Sequence, residues 1–396
     1  MYYRQPRYFG DFHCIGGACS YSCCIGWRID WKEEEIDKVK NAPGCSQELK
    51  ELCERSFEYN EDAQKYAVVL GKDGRCPFLT EDNFCKIQRE LGAEYLSHIC
   101  SFYPRDHLVI GSAVYRCCHM SCAEVMKKLL NDEKSMDMVN VGVRVTENAQ
   151  VGILDNPISV AGHPELKYGA EIREFFYEII ADKRNTLETS IILGALAAQS
   201  LTKLVSAKQY DRIPEAIKSL KAQMRNGAQL RSIENIQPNY NIKLGIVDKV
   251  LREFFTSSVI VSLSDNDGKP NIDIYKRAEY LLEKEFESHS FAWRNMMLNL
   301  LLELNVPFKL VDNTFFENYS IYVMCYAFIR HNALTIMAFN DRLNEDKHIN
   351  AENVITTFNA ILSRRLCHNS ENLKRILLRM QNLNLTSPAY LALLVK

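Results

Sequence analysis

The sequence lacks several things that would have settled its class at once. Glycine and proline number only 17 and 11 in 396 residues, which excludes collagen-like and low-complexity structure as the main state. Neither sign of charge dominates: 48 Lys and Arg stand against 50 Asp and Glu, a net charge of −2. Residues 1–130 hold 17 basic and 19 acidic groups, and the remainder holds 31 of each. Neither part can coat a phosphate backbone, so generic nucleic-acid binding is not expected. Long apolar runs are missing too. The uncharged stretch Thr189 to Thr202 has 14 residues, short of the roughly 20 a membrane span needs. It reads as a buried core helix, and no transmembrane segment is expected. The opening MYYRQPRYFGDF is polar and aromatic, so no secretory signal is expected and the chain is placed in the cytoplasm, where thiols stay reduced.

What is present is cysteine. There are 14, and 12 of them lie between Cys14 and Cys122. Cys325 and Cys367, outside that range, read as small buried hydrophobes. Twelve thiols in about a hundred residues of a reducing compartment point to metal or iron–sulfur ligation ahead of disulfides. No pair has the Cys-x-x-Cys spacing of a zinc knuckle or a thioredoxin-like motif, and Cys19-x3-Cys23 is not followed by the third cysteine of a radical-type motif. Spacing alone therefore leaves iron–sulfur, zinc and disulfides open, in that order. In CIGGACSYSCC, Gly16 and Gly17 allow a tight turn between Cys14 and Cys19. The four-residue offset of Cys19 and Cys23 predicts a shared face of a helical turn.

The pattern predicts a mainly α chain in two parts. Residues 1–130 form a small cysteine-rich, metal-bound α+β domain, residues 131–163 a connector with a short strand, and residues 164–396 a larger all-helical domain. In the first part a charged helix is expected over 31–42, a strand near 66–70, a hairpin over 108–118 turning at Gly111, and a closing helix over 123–132. MVNVGVRV (138–145) alternates, with Val139, Val141, Val143 and Val145 on one face. Beyond residue 165 the apolar spacing predicts seven to nine helices, over 166–183, 187–207, 213–224, 241–258, 273–304, 315–340, 351–367 and 370–383. No repeat is visible.

The strings FHCIGGACSYSCCIGWRID, RCPFLTEDNFCKIQRELGAEYLSHICSFYPR and SCAEV resemble the flagellin lysine N-methylase family, of the wider cysteine-cluster proteins. The resemblance is strong over residues 6–125 and weaker in FFENYSIYVMCYAFIR and LSRRLCHNSENL. It implies an S-adenosylmethionine-dependent methyltransferase acting on lysines of flagellin in the cytosol. It also implies a 4Fe–4S cluster, with Cys14, Cys19, Cys23, Cys24, Cys76, Cys85, Cys100 and Cys122 at the family's thiol positions. Eight thiols exceed the four that one cluster takes, and which four ligate stays open.

The residues by themselves do not reach methyl transfer, because the Gly-rich strand-to-helix turn of the usual doubly wound methyltransferase sheet is absent. Trp27, Tyr103 and Arg105 are candidate cofactor contacts, aromatic faces being able to hold a sulfonium cation. Tyr8, Asp30, His98 and Asp106 are further candidates near the thiols, and each also reads as an ordinary packing, ion-pair or hydrogen-bonded residue. His331 and His368 are expected to cap helix C-termini. Glu317 is expected in a helical first turn, with Tyr319 undecided. A non-catalytic metal-binding adaptor and an iron–sulfur redox sensor are the alternatives to the enzyme.

Overall fold

A computed structural model describes residues 2–19, 21–61, 64–110, 113–142, 162–254, 263, 271–310, 312–341 and 350–396. In chain order the first part holds β1 (Tyr2–Pro6), α1 (Arg7–Gly10), β2 (Asp30–Trp31), α2 (Glu33–Lys40), α3 (Gln47–Arg55), β3 (Phe57–Asn60) and β4 (Lys65–Val68). It continues with α4 (Lys86–Leu91), α5 (His98–Phe102), β5 (Arg105–Ile110), β6 (Ala113–Cys118), α6 (Ala123–Asn131) and β7 (Met138–Gly142). The remainder is helical: α7 (Gly169–Ala181), α8 (Leu187–Ser206), α9 (Ile213–Gln223), α10 (Gly227–Glu234), α11 (Tyr240–Leu251) and α12 (Ile272–Glu285). Then come α13 (Phe291–Glu303), α14 (Phe315–Asn340), α15 (Ala351–Leu362), α16 (Ser370–Asn382) and α17 (Pro388–Val395).

The chain is mainly α, as expected, but the helical part has eleven helices among the described residues, not seven to nine. The segment over 273–304 is two helices broken by a 3₁₀ turn at Glu287–His289; the short α10 has too few apolar positions to show a period, and the short α17 is apolar almost throughout. The segment over 351–367 is α15 followed by a π-helix, Ser363–Cys367.

Local chemistry accounts for the elements. Three glutamates open α2 and Lys38 and Lys40 close it, matching the helix dipole at both ends. Ser46 Oγ accepts from Leu49 N, 3.1 Å, to start α3. Thr314 and Glu317 form a capping box at the start of α14, so Glu317 is the first-turn residue expected. Gly194 lets α8 meet α14: a Cβ there would lie 2.0 Å from the Tyr319 hydroxyl, which donates to Ile191 O at 2.9 Å. Tyr319 is therefore a buried packing residue. By length and composition α8 could cross a membrane, and 56% of that stretch is buried inside this fold.

Two sheets and two cores organise the chain. β2, β4 and β3 make a small antiparallel sheet. β5, β6, β1 and β7 make a second, in which β1 runs parallel to β6 and antiparallel to β7, with Tyr3 opposite Val114 and Val141. The β5–β6 hairpin forms as expected. β7 covers Met138–Gly142 of the alternating run, while Val143 and Val145 lie outside the described residues. One core gathers Ile29, Trp31, Ile36, Val39, Leu49, Cys53, Val68, Phe78 and Ile87, with Trp27, Cys76, Cys85 and Cys100 packed against it. The other takes in Tyr8, Phe9, Phe12, the β5–β6 hairpin, α6 and the helices from α7 to α17. The second sheet and α6 thus pack as part of the helical body, and residues 29–87 form a lobe beside it.

Candidate functional site

The thiols gather where the lobe meets the helical body. The turn carrying Cys14 and Cys19 is a 3₁₀ turn, Gly16–Ala18. It is seated by Gly16 at φ +57° and by Gly17, whose Cβ would meet Asp82 O at 2.7 Å. Cys19 itself is extended and Cys23 lies in a turn, so the expected shared helical face does not exist. The tight glycine turn at Gly16–Ala18 sets the separation of Cys14 and Cys19 instead.

Cys24 is the hub of one group. Cys76 N donates to Cys24 O at 2.8 Å, Ile25 bridges Arg75, and Leu79 bridges Cys85. Ser97 caps α5 by accepting from Cys100 N at 3.0 Å. Cys24 is an electrostatic neighbour of Cys76, Cys85 and Cys100. The other group is Cys14, Cys19 and Cys122, with Cys23 between the groups and in contact with Cys24. Burial pushes Cys76, Cys100 and Cys122 up to about 12. Cys24 goes the other way, down to about 7, because the Cys23 thiol and then Ser22, Arg364 and Arg75 favour its thiolate. Buried thiols that resist ionisation in an apolar setting are ones a metal cation would convert to thiolates. Cys117 and Cys118 are fully enclosed on β6. Cys325 and Cys367 are buried as expected, and their thiols hydrogen-bond to each other.

The helical body reaches into this junction through its π-helix. Arg364 donates to Ile25 O at 2.6 Å and to Ser22 O at 3.3 Å, and its guanidinium lies over Tyr21 and Trp27, 4.7 and 5.7 Å from the ring centres. Trp27 donates from Nε1 to Cys23 O. Its ring lies 5.2 Å from those of both Tyr103 and His368. Tyr103 OH hydrogen-bonds Ser121 Oγ at 3.0 Å, and Ser121 Oγ hydrogen-bonds His368 Nε2 at 2.9 Å.

Of the three candidate cofactor contacts, Trp27 and Tyr103 come together. Arg105 instead stacks 5.2 Å over Phe12, away from that aromatic group. Asp30 is paired into β2. His98 is exposed and stacked on Phe102.

Sequence reasoning missed the most enclosed part of the site. Glu303, at the end of α13, has no exposed surface. Its Oε1 lies 3.2 Å from His119 Nδ1 and accepts from Ser363 Oγ, and its Oε2 accepts from Met120 N at 3.0 Å. The carboxyl is held at about 2: burial would raise it, but His119, His368 and Ser363 outweigh burial. The His119 imidazole is raised despite burial, because Glu303 and Asp106 favour its cation. The His368 imidazole is pushed down to about 2, first by burial and then by His119. His368 is the C-cap residue of the π-helix, where its backbone N donates to Ser363 O at 3.0 Å, while its side chain bonds Ser121 Oγ. His331, by contrast, is not at a helix end. It lies buried within α14. A signal for this site existed in the string CCHMSC (117–122) and in a lone carboxylate inside the apolar run LNLLLEL (298–304).

A large cavity lies elsewhere. It holds about 730 Å³ between β1, α7, α12 and α13 and contains no thiol. Several of its charges pair with one another, Arg4 with Glu174 at 3.0 Å and Lys183 with Glu133 at 2.7 Å. The chemistry-bearing groups are at the other end of α13, so the functional site is placed at the thiol junction.

Residues 173–394 match the family model described as the FliB lysine N-methylase C-terminal domain. Two relatives named Lysine-N-methylase match at full scale. That of Salmonella choleraesuis is 25% identical, and that of Salmonella typhimurium 24%, each over 93% of this chain and 92% of its own length. The protein named Flagellar biosynthetic protein FliU of Salmonella muenchen is 31% identical over 33% of this chain and 79% of its own. No solved structure matches.

Proposed function

The chain belongs to the FliB lysine N-methylase family, and on that premise we propose that it methylates lysine side chains of flagellin in the bacterial cytosol. The methyl donor is S-adenosylmethionine, and the cysteine-rich lobe carries a 4Fe–4S cluster. One observation carries the reading: the match to named lysine N-methylases spans both the thiol lobe and the helical body, so neither half is an addition to an unrelated protein. The link to flagellin is supported by the flagellar name of the third relative.

The donor set suits such a cluster. Cys24, Cys76, Cys85 and Cys100 are four half-buried thiols from four separate segments around one hub, and iron–sulfur clusters take four thiolates. Among the described residues no three thiols have sulfur atoms all within 4.8 Å of one another, a spacing too open for one tetrahedral zinc ion. When bound, the cluster supplies electron-transfer chemistry. The remaining thiols, Cys14, Cys19, Cys23 and Cys122, form the flanking group.

The residues beside the thiols have their own tasks. Trp27 and Tyr103 present aromatic faces that suit a sulfonium cation. The acceptor lysine enters as an ammonium with an ordinary pKa of about 10.4. Its nitrogen must lose a proton and gain the methyl carbon, while the bond from that carbon to the donor sulfur breaks.

Intact-mass spectrometry tests the reading. Purified flagellin, incubated anaerobically with the protein and S-adenosylmethionine, should gain mass in whole methyl increments located on lysines. An unchanged flagellin mass with fully iron-loaded protein favours the redox-sensor or adaptor alternative.

A further inference from the structure

We propose that His119, Glu303 and His368 form a second metal site, distinct from the thiols, that binds one zinc-class divalent ion through two imidazoles and one carboxylate. The ligand atoms of these three residues all lie within 4.8 Å of one another, the one His, Cys, Asp or Glu set of this kind among the described residues. They come from places far apart in sequence: the turn between β6 and α6, the end of α13, and the residue after the π-helix. The two imidazole centres are 4.2 Å apart.

The geometry suits co-ligation better than a direct hydrogen bond. His119 Nδ1 is 3.2 Å from Glu303 Oε1, yet it is off-line and stays a buried nitrogen without a hydrogen-bond partner. Two ligands each about 2.1 Å from one tetrahedral ion lie about 3.4 Å apart. An ion between them would satisfy that nitrogen and would neutralise a carboxylate with no access to water. Two imidazoles and a carboxylate, with the rest of the shell open, match the donor type of catalytic zinc and non-haem ferrous sites.

The surrounding groups complete the pattern. Ligating histidines usually engage their second nitrogen in an outer hydrogen bond. Here His368 Nε2 is bonded to Ser121 Oγ, which continues to Tyr103. His119 Nε2 faces Asp106 Oδ2 at 3.9 Å, and its backbone N donates to Pro104 O at 2.8 Å. Glu303 is oriented by Met120 N and Ser363 Oγ. The π-helix that supplies Ser363 and precedes His368 is of a kind frequent at functional sites. All three ligands belong to the helical body, so the ion would pin the β6–α6 turn to the end of α13 and to the π-helix.

Zinc binding decides the matter without reference to methylation. Anaerobic protein with its iron in place is equilibrated with zinc, and bound metal is counted per chain by mass spectrometry. Wild type should hold one zinc more than His368→Gln and Glu303→Gln, and Ser121→Ala should weaken that zinc by about 10–100-fold. Equal zinc in wild type and both ligand variants overturns the proposal. X-ray absorption at the zinc edge of wild type guards against misfolded variants. A shell of nitrogen and oxygen at about 2.0–2.2 Å supports the site, and a sulfur shell at about 2.3 Å, or no retained zinc, overturns it.

Discussion

The lobe over residues 29–87 and the helical body are held together by different means. The body buries whole helices: α14 has twenty buried residues, including Tyr319, Tyr322, Tyr326 and Phe328. The lobe has nine buried core residues, strands of two to four residues, and thiols along one side. A core that small rarely supplies more than a few kcal/mol against chain entropy. The difference teaches what the proposed cluster would do: a metal held by the thiols would act in the lobe as the apolar core acts in the body, since metal binding there would be folding free energy.

The largest expected effect separates thiols by place. Cys24→Ser removes the hub of the four-thiol group, so bound iron should fall more than tenfold in anaerobically prepared protein. Cys325→Ala, in the body, should keep the full iron content and lose about 1 kcal/mol. Equal iron in the two variants, measured per chain, would erase the distinction.

Next is the junction. Glu303→Ala leaves the His119 imidazole enclosed without its carboxylate, and removing one partner of a buried pair costs about 3–5 kcal/mol. Chemical denaturation should show that loss. A cost below about 1 kcal/mol would mean that the buried carboxylate carries no pairing energy.

The smallest effect is a pH response inside the body. Burial holds the His331 imidazole down at about 4, and its Nε2 has no hydrogen-bond partner. The folded chain then resists a proton that the unfolded chain accepts below its ordinary value of about 6.5. Stability should fall as pH drops from about 6.5 toward 4, by up to about 3 kcal/mol. His331→Gln should reduce that slope without abolishing it, because burial also holds down His107 and His368, and an unchanged slope would place the acid sensitivity in those two alone.

The sequence made the body more legible than the junction. The apolar period located α7, α8, α9, α14 and α16, because each buries a continuous face. It ran through Glu287–His289 because both flanking helices are apolar on the same spacing. Cysteine composition pointed to the lobe, yet the offset of Cys19 and Cys23 suggested a helix where the chain is extended at Cys19 and turns at Cys23. Glu303 was illegible in role, since its partners His119 and Ser363 lie 184 residues before it and 60 after it. Spacing arguments reach a few turns of chain, and tertiary partners at that distance are set by how the β6–α6 turn, α13 and the π-helix pack together.

Hydrogen exchange on the anaerobic protein, before and after a chelator removes its iron, tests the central contrast most directly. The account predicts that backbone amides of α2, α3, β3 and β4 lose protection by orders of magnitude, while those of α8 and α14 change little. Loss of protection spread evenly over lobe and body, or none in either, would contradict it.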